Sequence, residues 1–176
     1  MPDDTRTYVL KMLRLDHKRL LDYFFQFDQS NDLNHKKSFA MTALNELAIH
    51  SRLEEEIFYP YVRVKKPLIA DLIDRCETQH GTCDRLISHL NFANIDEKFE
   101  RHFFQIVDAI TAHMQFEEKE IFVQLDDVDL GAIAQILDMR RDELLKAEAG
   151  ENTNAFTPQS AFFKHVEPID HSGAQH

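Results

Sequence analysis

Apolar residues recur at helical spacing along most of the chain, and only four glycines interrupt it. Over residues 5–29 the apolar phase runs Leu10, Leu13, Leu20, Leu21 and Phe24, which predicts a first helix with one buried stripe. His17 falls in that stripe, where a core residue belongs. Residues 30–34, Ser-Asn-Asp-Leu-Asn, read as a turn. A second helix is predicted over 35–64 with Phe39, Ala43, Leu47, His50, Glu54 and Ile57 in phase, and Pro60 in its last turns predicts a kink.

Pro67 marks the next connection and suits the first turn of a third helix reaching about residue 90. Its inward phase is Ile69, Ile73, Cys76, His80, Cys83, Ile87 and Leu90. Residues 91–96 close it, and a fourth helix over 97–125 presents Phe99, Phe103, Ile106, Ile110, His113, Glu117 and Ile121. A shorter fifth helix over 130–149 offers Ile133, Ile136, Leu137, Leu144 and Leu145 for packing, with Gly150 suited to its end. The expected fold is all-α: an up-down-up-down antiparallel four-helix bundle in residues 1–127, an additional helix in 128–149 packed on it, and a partly ordered C-terminal tail in 150–176. Phe156, Phe162 and Phe163 of that tail are expected to dock on the bundle or on a second subunit, so a homodimer is one expected assembly.

A chain of 176 residues can bury a substantial core without disulfides or structural staples. The net charge of −11 argues against nucleic acid and anionic membrane as partners, since both call for clustered Lys and Arg. No 18-residue apolar run is present, and the opening Met-Pro-Asp-Asp-Thr-Arg does not resemble a signal peptide, so the expected location is cytoplasmic. Cys76 and Cys83 lie seven residues apart on one predicted helix, about 10 Å along its axis and beyond disulfide reach. They are expected to be reduced, small buried hydrophobes.

The chemistry sits inside the apolar stripes. His50 and Glu54 are spaced i, i+4, so both leave one helix face about 6 Å of axial rise apart, and one metal ion can be approached by both. His113 and Glu117 repeat the spacing 63 residues on, and the same offset carries His17 onto His80. In an antiparallel bundle, residues at one height lie equally far from the turn joining their helices. The midpoints of His17 and His50, of His50 and His80, and of His80 and His113 all fall in or beside the predicted connections. His17, His50, Glu54, His80, His113 and Glu117 therefore share one predicted layer.

Burying two carboxylates and four imidazoles among apolar groups costs several kcal/mol for each isolated charge. A dinuclear metal centre resolves that cost, and mixed nitrogen and oxygen ligation suits iron, zinc or manganese. Taken singly, a core histidine or a His-x-x-x-Glu pair is more often packing or a surface pair than a site; two matched sets in one layer favour the metal. The runs 54–56 and 117–120 are expected to be solvated face, with only Glu54 and Glu117 turned inward. His35, His89, His102, His165, His171 and His176 read as surface or packing residues.

With its flanking Glu-Glu-Glu-Ile-Phe-Tyr-Pro, this pattern resembles the haemerythrin-like proteins, the HHE cation-binding domain, over residues 5–125. By contrast, ferritin-like bundles are built on Glu-x-x-His. The resemblance implies two non-haem iron ions, with Glu54 and Glu117 bridging, His17 and His50 serving one iron, and His80 and His113 the other. Oxygen carriers of the family have a further His four residues from the third-helix His and a five-residue step to the last carboxylate. This chain departs from both, with Cys76 and Asp84 flanking His80 and a four-residue step to Glu117. Three functions follow: a di-iron protein binding oxygen, nitric oxide or iron as sensor, scavenger or store; a di-iron enzyme reducing peroxide or nitric oxide or supporting iron-sulfur repair; or a metal-free helical interaction module.

Overall fold

The computed structural model describes residues 4–151; the expected C-terminal tail and His165, His171 and His176 lie outside the described residues. Helix α1 spans Asp4–Gln29, and α2 spans Leu33–Leu53. The second rod then changes winding through a π-helical turn at Glu54–Phe58 and continues as α3, Tyr59–Lys65. A 3₁₀ turn at Pro67–Ile69 leads into α4, Ala70–Ser88. Helix α5, Glu97–Phe116, is followed by a second π turn at Glu117–Ile121 and a 3₁₀ turn at Phe122–Gln124. Helix α6, Gly131–Glu151, completes the fold, and no strand occurs among the described residues. The fold is the expected all-α bundle.

Two helix starts show why the connections fall where they do. Asp32 and Asp96 have extended backbones, and their carboxylates accept from the backbone N–H of His35 and Phe99, each three residues on. Such caps satisfy donors that the first helical turn leaves without partners. Asp96→Ala is expected to lower stability by about 1 kcal/mol, measurable as a lower urea midpoint at unchanged slope; an unchanged midpoint would deny the cap a role.

The change of winding lies one turn before Pro60, in the π turn at Glu54–Phe58. Proline is not its cause, because Glu117–Ile121 winds identically with no proline. In both copies an N–H reaches back five residues, from Tyr59 to the Glu54 carbonyl and from Phe122 to the Glu117 carbonyl. Each π turn thus begins at an inward carboxylate, and the extra residue lets the side chains beyond it, Phe58 with Tyr59 and Ile121 with Phe122, stay buried.

Two apolar clusters form the core, one at each end of the bundle. One is built from Leu13, Leu53, Phe58, Ile73, Ile121 and Leu137 among others. The other is built from Leu20, Phe27, Leu44, Ile87, Phe103 and Ile106 among others, with Phe103 in ring contact with Phe24, Phe27 and Phe99. On each of the four rods the histidine falls where one cluster gives way to the other, so a polar layer separates two apolar ends.

Helix α6 packs on α1, α2 and the first π turn through Ile133, Ala134, Leu137 and Leu144. Ile136 and Leu145, expected to pack as well, are 53% and 43% exposed. At about 100° per residue they fall just outside the two edges of the buried arc. Leu21 of α1 is likewise exposed rather than buried.

Candidate metal centre

All six predicted residues are brought together in the polar layer, and each is at most 5% exposed. His17 Nε2 and His50 Nε2 face each other at 3.1 Å, and His80 Nε2 and His113 Nε2 at 3.0 Å. Glu54 stands between the pairs, with Oε1 3.0 Å from His50 Nε2 and Oε2 3.3 Å from His80 Nε2 and 3.9 Å from His113 Nε2. Glu117 Oε2 is 3.3 Å from His17 Nε2. Two groups have ligand atoms within 4.8 Å of one another: His17, His50, Glu54 and Glu117, and Glu54, His80 and His113. Glu54 belongs to both, while Cys76 and Asp84 belong to neither.

These spacings fit metal ligation. Two nitrogens about 2.1 Å from one ion and at right angles stand about 3.0 Å apart, which is the separation within each imidazole pair. Hydrogen bonding alone leaves the layer unsatisfied: Glu54 Oε1 and both Glu117 carboxylate oxygens are buried without a hydrogen-bond partner. Buried polar atoms without partners are uncommon and call for an explanation such as an ion. The residues present therefore suit metal ions.

The outward nitrogens are held just as specifically. Glu118 Oε1 accepts from His17 Nδ1 at 2.7 Å, and Glu55 Oε1 accepts from His80 Nδ1 at 2.7 Å. Asp16 Oδ2 lies 3.3 Å from His50 Nδ1, and Gln79 Oε1 lies 3.1 Å from His113 Nδ1. Each contact directs Nε2 inward and fixes the tautomer able to bind a metal. Glu55 and Glu118, expected to be solvated face, thus reach inward from half-exposed positions, and the 63-residue offset that pairs them was the signal available. Asp16 and Gln79 went unmarked although the same offset relates them; Gln79 is not a charged residue, so the pair escapes a search for carboxylates. Glu56, on the other side of the π turn, is clamped by Arg140.

Electrostatics follow from burial opposed by charge. Burial alone would lower the His50 pKa, yet the Glu54 charge and the contact with Asp16 raise it to about 10. His80 is similarly raised to about 9, against burial, by Glu54 and Glu55. Burial pushes His113 down to about 4. Burial and the neighbouring Glu54 charge push Glu117 up to about 7, whereas Glu54 itself is held well below the carboxylate range by His50 despite burial. Metal binding must displace the protons on His50 and His80 at pH 7. Affinity is therefore expected to fall as pH falls, with net proton release on binding. Titrations in two buffers of different ionisation enthalpy measure that release, and equal heats in both would contradict it.

Three further features border the centre. Tyr59 donates to Glu54 Oε2 at 3.2 Å and lies against the His80 ring. Cys76 is fully buried and pairs with the Tyr59 hydroxyl, and burial pushes its thiol well up, as expected for an unreactive reduced cysteine. A cleft of about 340 Å³ between α1 and the α5 end is lined by His17, Leu21, Thr111, Met114, Gln115, Glu118 and Lys119, and meets the edge of the layer at His17. His35 and His89 are exposed and His102 half-buried, away from the cluster.

A helical bundle with a buried His/Glu layer built on two matched His-x-x-x-Glu helices defines the class: an all-α protein whose core can hold metal ions. The chain belongs to the hemerythrin family, since the model of the Hemerythrin HHE cation binding domain matches residues 8–125, the bundle proper. Curated proteins and solved structures gave no significant match to this chain. Among the described residues no helix is long and apolar enough to cross a membrane.

Proposed function

We propose that this protein binds two non-haem iron ions in the polar layer and uses them to bind oxygen, nitric oxide or iron itself, as sensor, scavenger or store. His17 and His50 would hold one ion and His80 and His113 the other, with Glu54 placed to serve both and Glu117 gathered on the His17/His50 side. The observation that carries this reading is the convergence of four Nε2 atoms, paired at 3.1 and 3.0 Å, on two buried carboxylates, three of whose four oxygens have no hydrogen-bond partner. Bound iron would supply Lewis acidity and redox chemistry. The chain's own part is to keep the layer dry between two apolar clusters, to orient the four rings through Glu118, Asp16, Glu55 and Gln79, and to admit a small molecule through the cleft at His17.

Four imidazoles and two carboxylates shared between two ions would leave coordination positions free for a small ligand, which suits a diatomic ligand or peroxide as partner. The net charge of −11 supports a small-molecule partner over nucleic acid, and a cytoplasmic setting is proposed with it. Anaerobic purification followed by metal analysis and optical spectra tests the reading. Iron near two per chain, with a spectrum that changes reversibly on adding and removing oxygen or nitric oxide, is expected. Rapid consumption of peroxide or nitric oxide with turnover would replace the binding role by the enzymatic one. A protein free of metal, indifferent to chelators, would leave a helical interaction module.

A further inference from the structure

The two halves of the bundle are related by the 63-residue offset, so any difference between equivalent positions makes the two metal positions unequal. Glu118 on His17 and Glu55 on His80 are equivalent and equally short, both 2.7 Å, so they cancel. Three of the remaining differences favour the His17/His50 side. His50 is backed by the carboxylate of Asp16, whereas His113 is backed by the neutral amide of Gln79. A carboxylate behind an imidazole strengthens it as a metal ligand more than an amide does. Where the His17/His50 position has Phe122 stacked on His17, the His80/His113 position has Tyr59, whose hydroxyl donates to Glu54 Oε2, the oxygen facing His80 and His113. That donation weakens most the Glu54 oxygen that faces the second position. Finally, both carboxylates gather with His17 and His50, but only Glu54 gathers with His80 and His113.

Asp16 is not held by the bundle alone. It is 3% exposed, and Arg141 of α6 grips both its oxygens, Nη2 to Oδ2 at 2.5 Å and Nη1 to Oδ1 at 3.2 Å, with Arg19 on Oδ1 at 2.5 Å. A buried carboxylate needs such partners, and a two-pronged guanidinium also fixes its plane. Arg141 lies on the buried side of α6, and the neighbouring Arg140 pins the same helix to Glu56 within the first π turn. Helix α6 lies beyond the 8–125 stretch that the family model matches, and no equivalent clamp on Gln79 is seen among the described residues.

We propose that the His17/His50 position binds metal more tightly than the His80/His113 position, and that Arg141 of α6 is the positioning residue that sets this preference by holding Asp16 against His50. This rests on the metal-binding reading above. The test is an anaerobic titration of the metal-free full chain with Co(II), followed by calorimetry and cobalt absorption. The first equivalent is expected to lose at least about tenfold more affinity in His17→Ala than in His80→Ala. Asp16→Asn and Arg141→Gln are each expected to weaken the first step about tenfold, the scale typical of an outer-partner change, and Arg141→Lys to recover part of that loss. Gln79→Glu is expected to bring the second step closer to the first. Equal losses in His17→Ala and His80→Ala, or a first step unchanged in both Asp16→Asn and Arg141→Gln, would overturn the preference while leaving metal binding intact. Failure of the unaltered chain to bind cobalt at all would instead overturn the metal-binding reading.

Discussion

Glu54→Ala is expected to leave the purified protein almost without metal, because Glu54 is the one side chain shared by both ligand groups. Its loss removes an oxygen from each ion at once. The affinity loss should exceed the roughly 100-fold that the removal of an outer partner costs. It also removes part of the charge that keeps protons on His50 and His80, leaving only Asp16 and Glu55 to oppose burial, so both pKa values would fall. His50→Ala should act in the same direction, whereas His89→Ala, altering an exposed residue, should load metal like the unaltered chain. Metal analysis of the three variants purified side by side decides the matter; equal metal contents would refute the site.

Removing the metal is expected to lower the melting temperature substantially. A ligand bound only by the native state stabilises it in proportion to the logarithm of its excess over Kd, about 4 kcal/mol at a thousandfold excess. For a chain of this size that corresponds to a shift on the order of 10 °C. The physical origin is visible in the layer: without an ion, buried carboxylate oxygens of Glu54 and Glu117 have no partner, and four imidazoles must share protons at close range. Scanning calorimetry before and after chelation, with re-addition of iron to restore the higher transition, measures the effect. Coincident transitions in the two states would mean that the layer is stable on its own and needs no ion.

The four rods and the six inward residues were legible in the sequence because each depends on short-range regularities. Helical periodicity put His17, His50, His80 and His113 in apolar stripes, and the equal distances to the connections put them at one height. The π turns were not legible, since Pro60 suggested a different origin for the bend and the second copy has no proline to suggest one. Ile136 and Leu145 were misjudged because an apolar side chain at the edge of a helical arc looks like one inside it until the neighbouring helices are placed.

What the sequence determined by itself was therefore the fold class, the layer and its donor set, all encoded in a 3.6-residue period and a repeated spacing. What only the tertiary structure decided was who stands behind each imidazole. Glu118 meets His17 across 101 residues and Arg141 meets Asp16 across 125, with half-exposed or polar side chains that no local pattern distinguishes from ordinary surface. Such contacts depend on how the rods and α6 rotate against one another, and that rotation is settled by packing over the whole core rather than by any one segment.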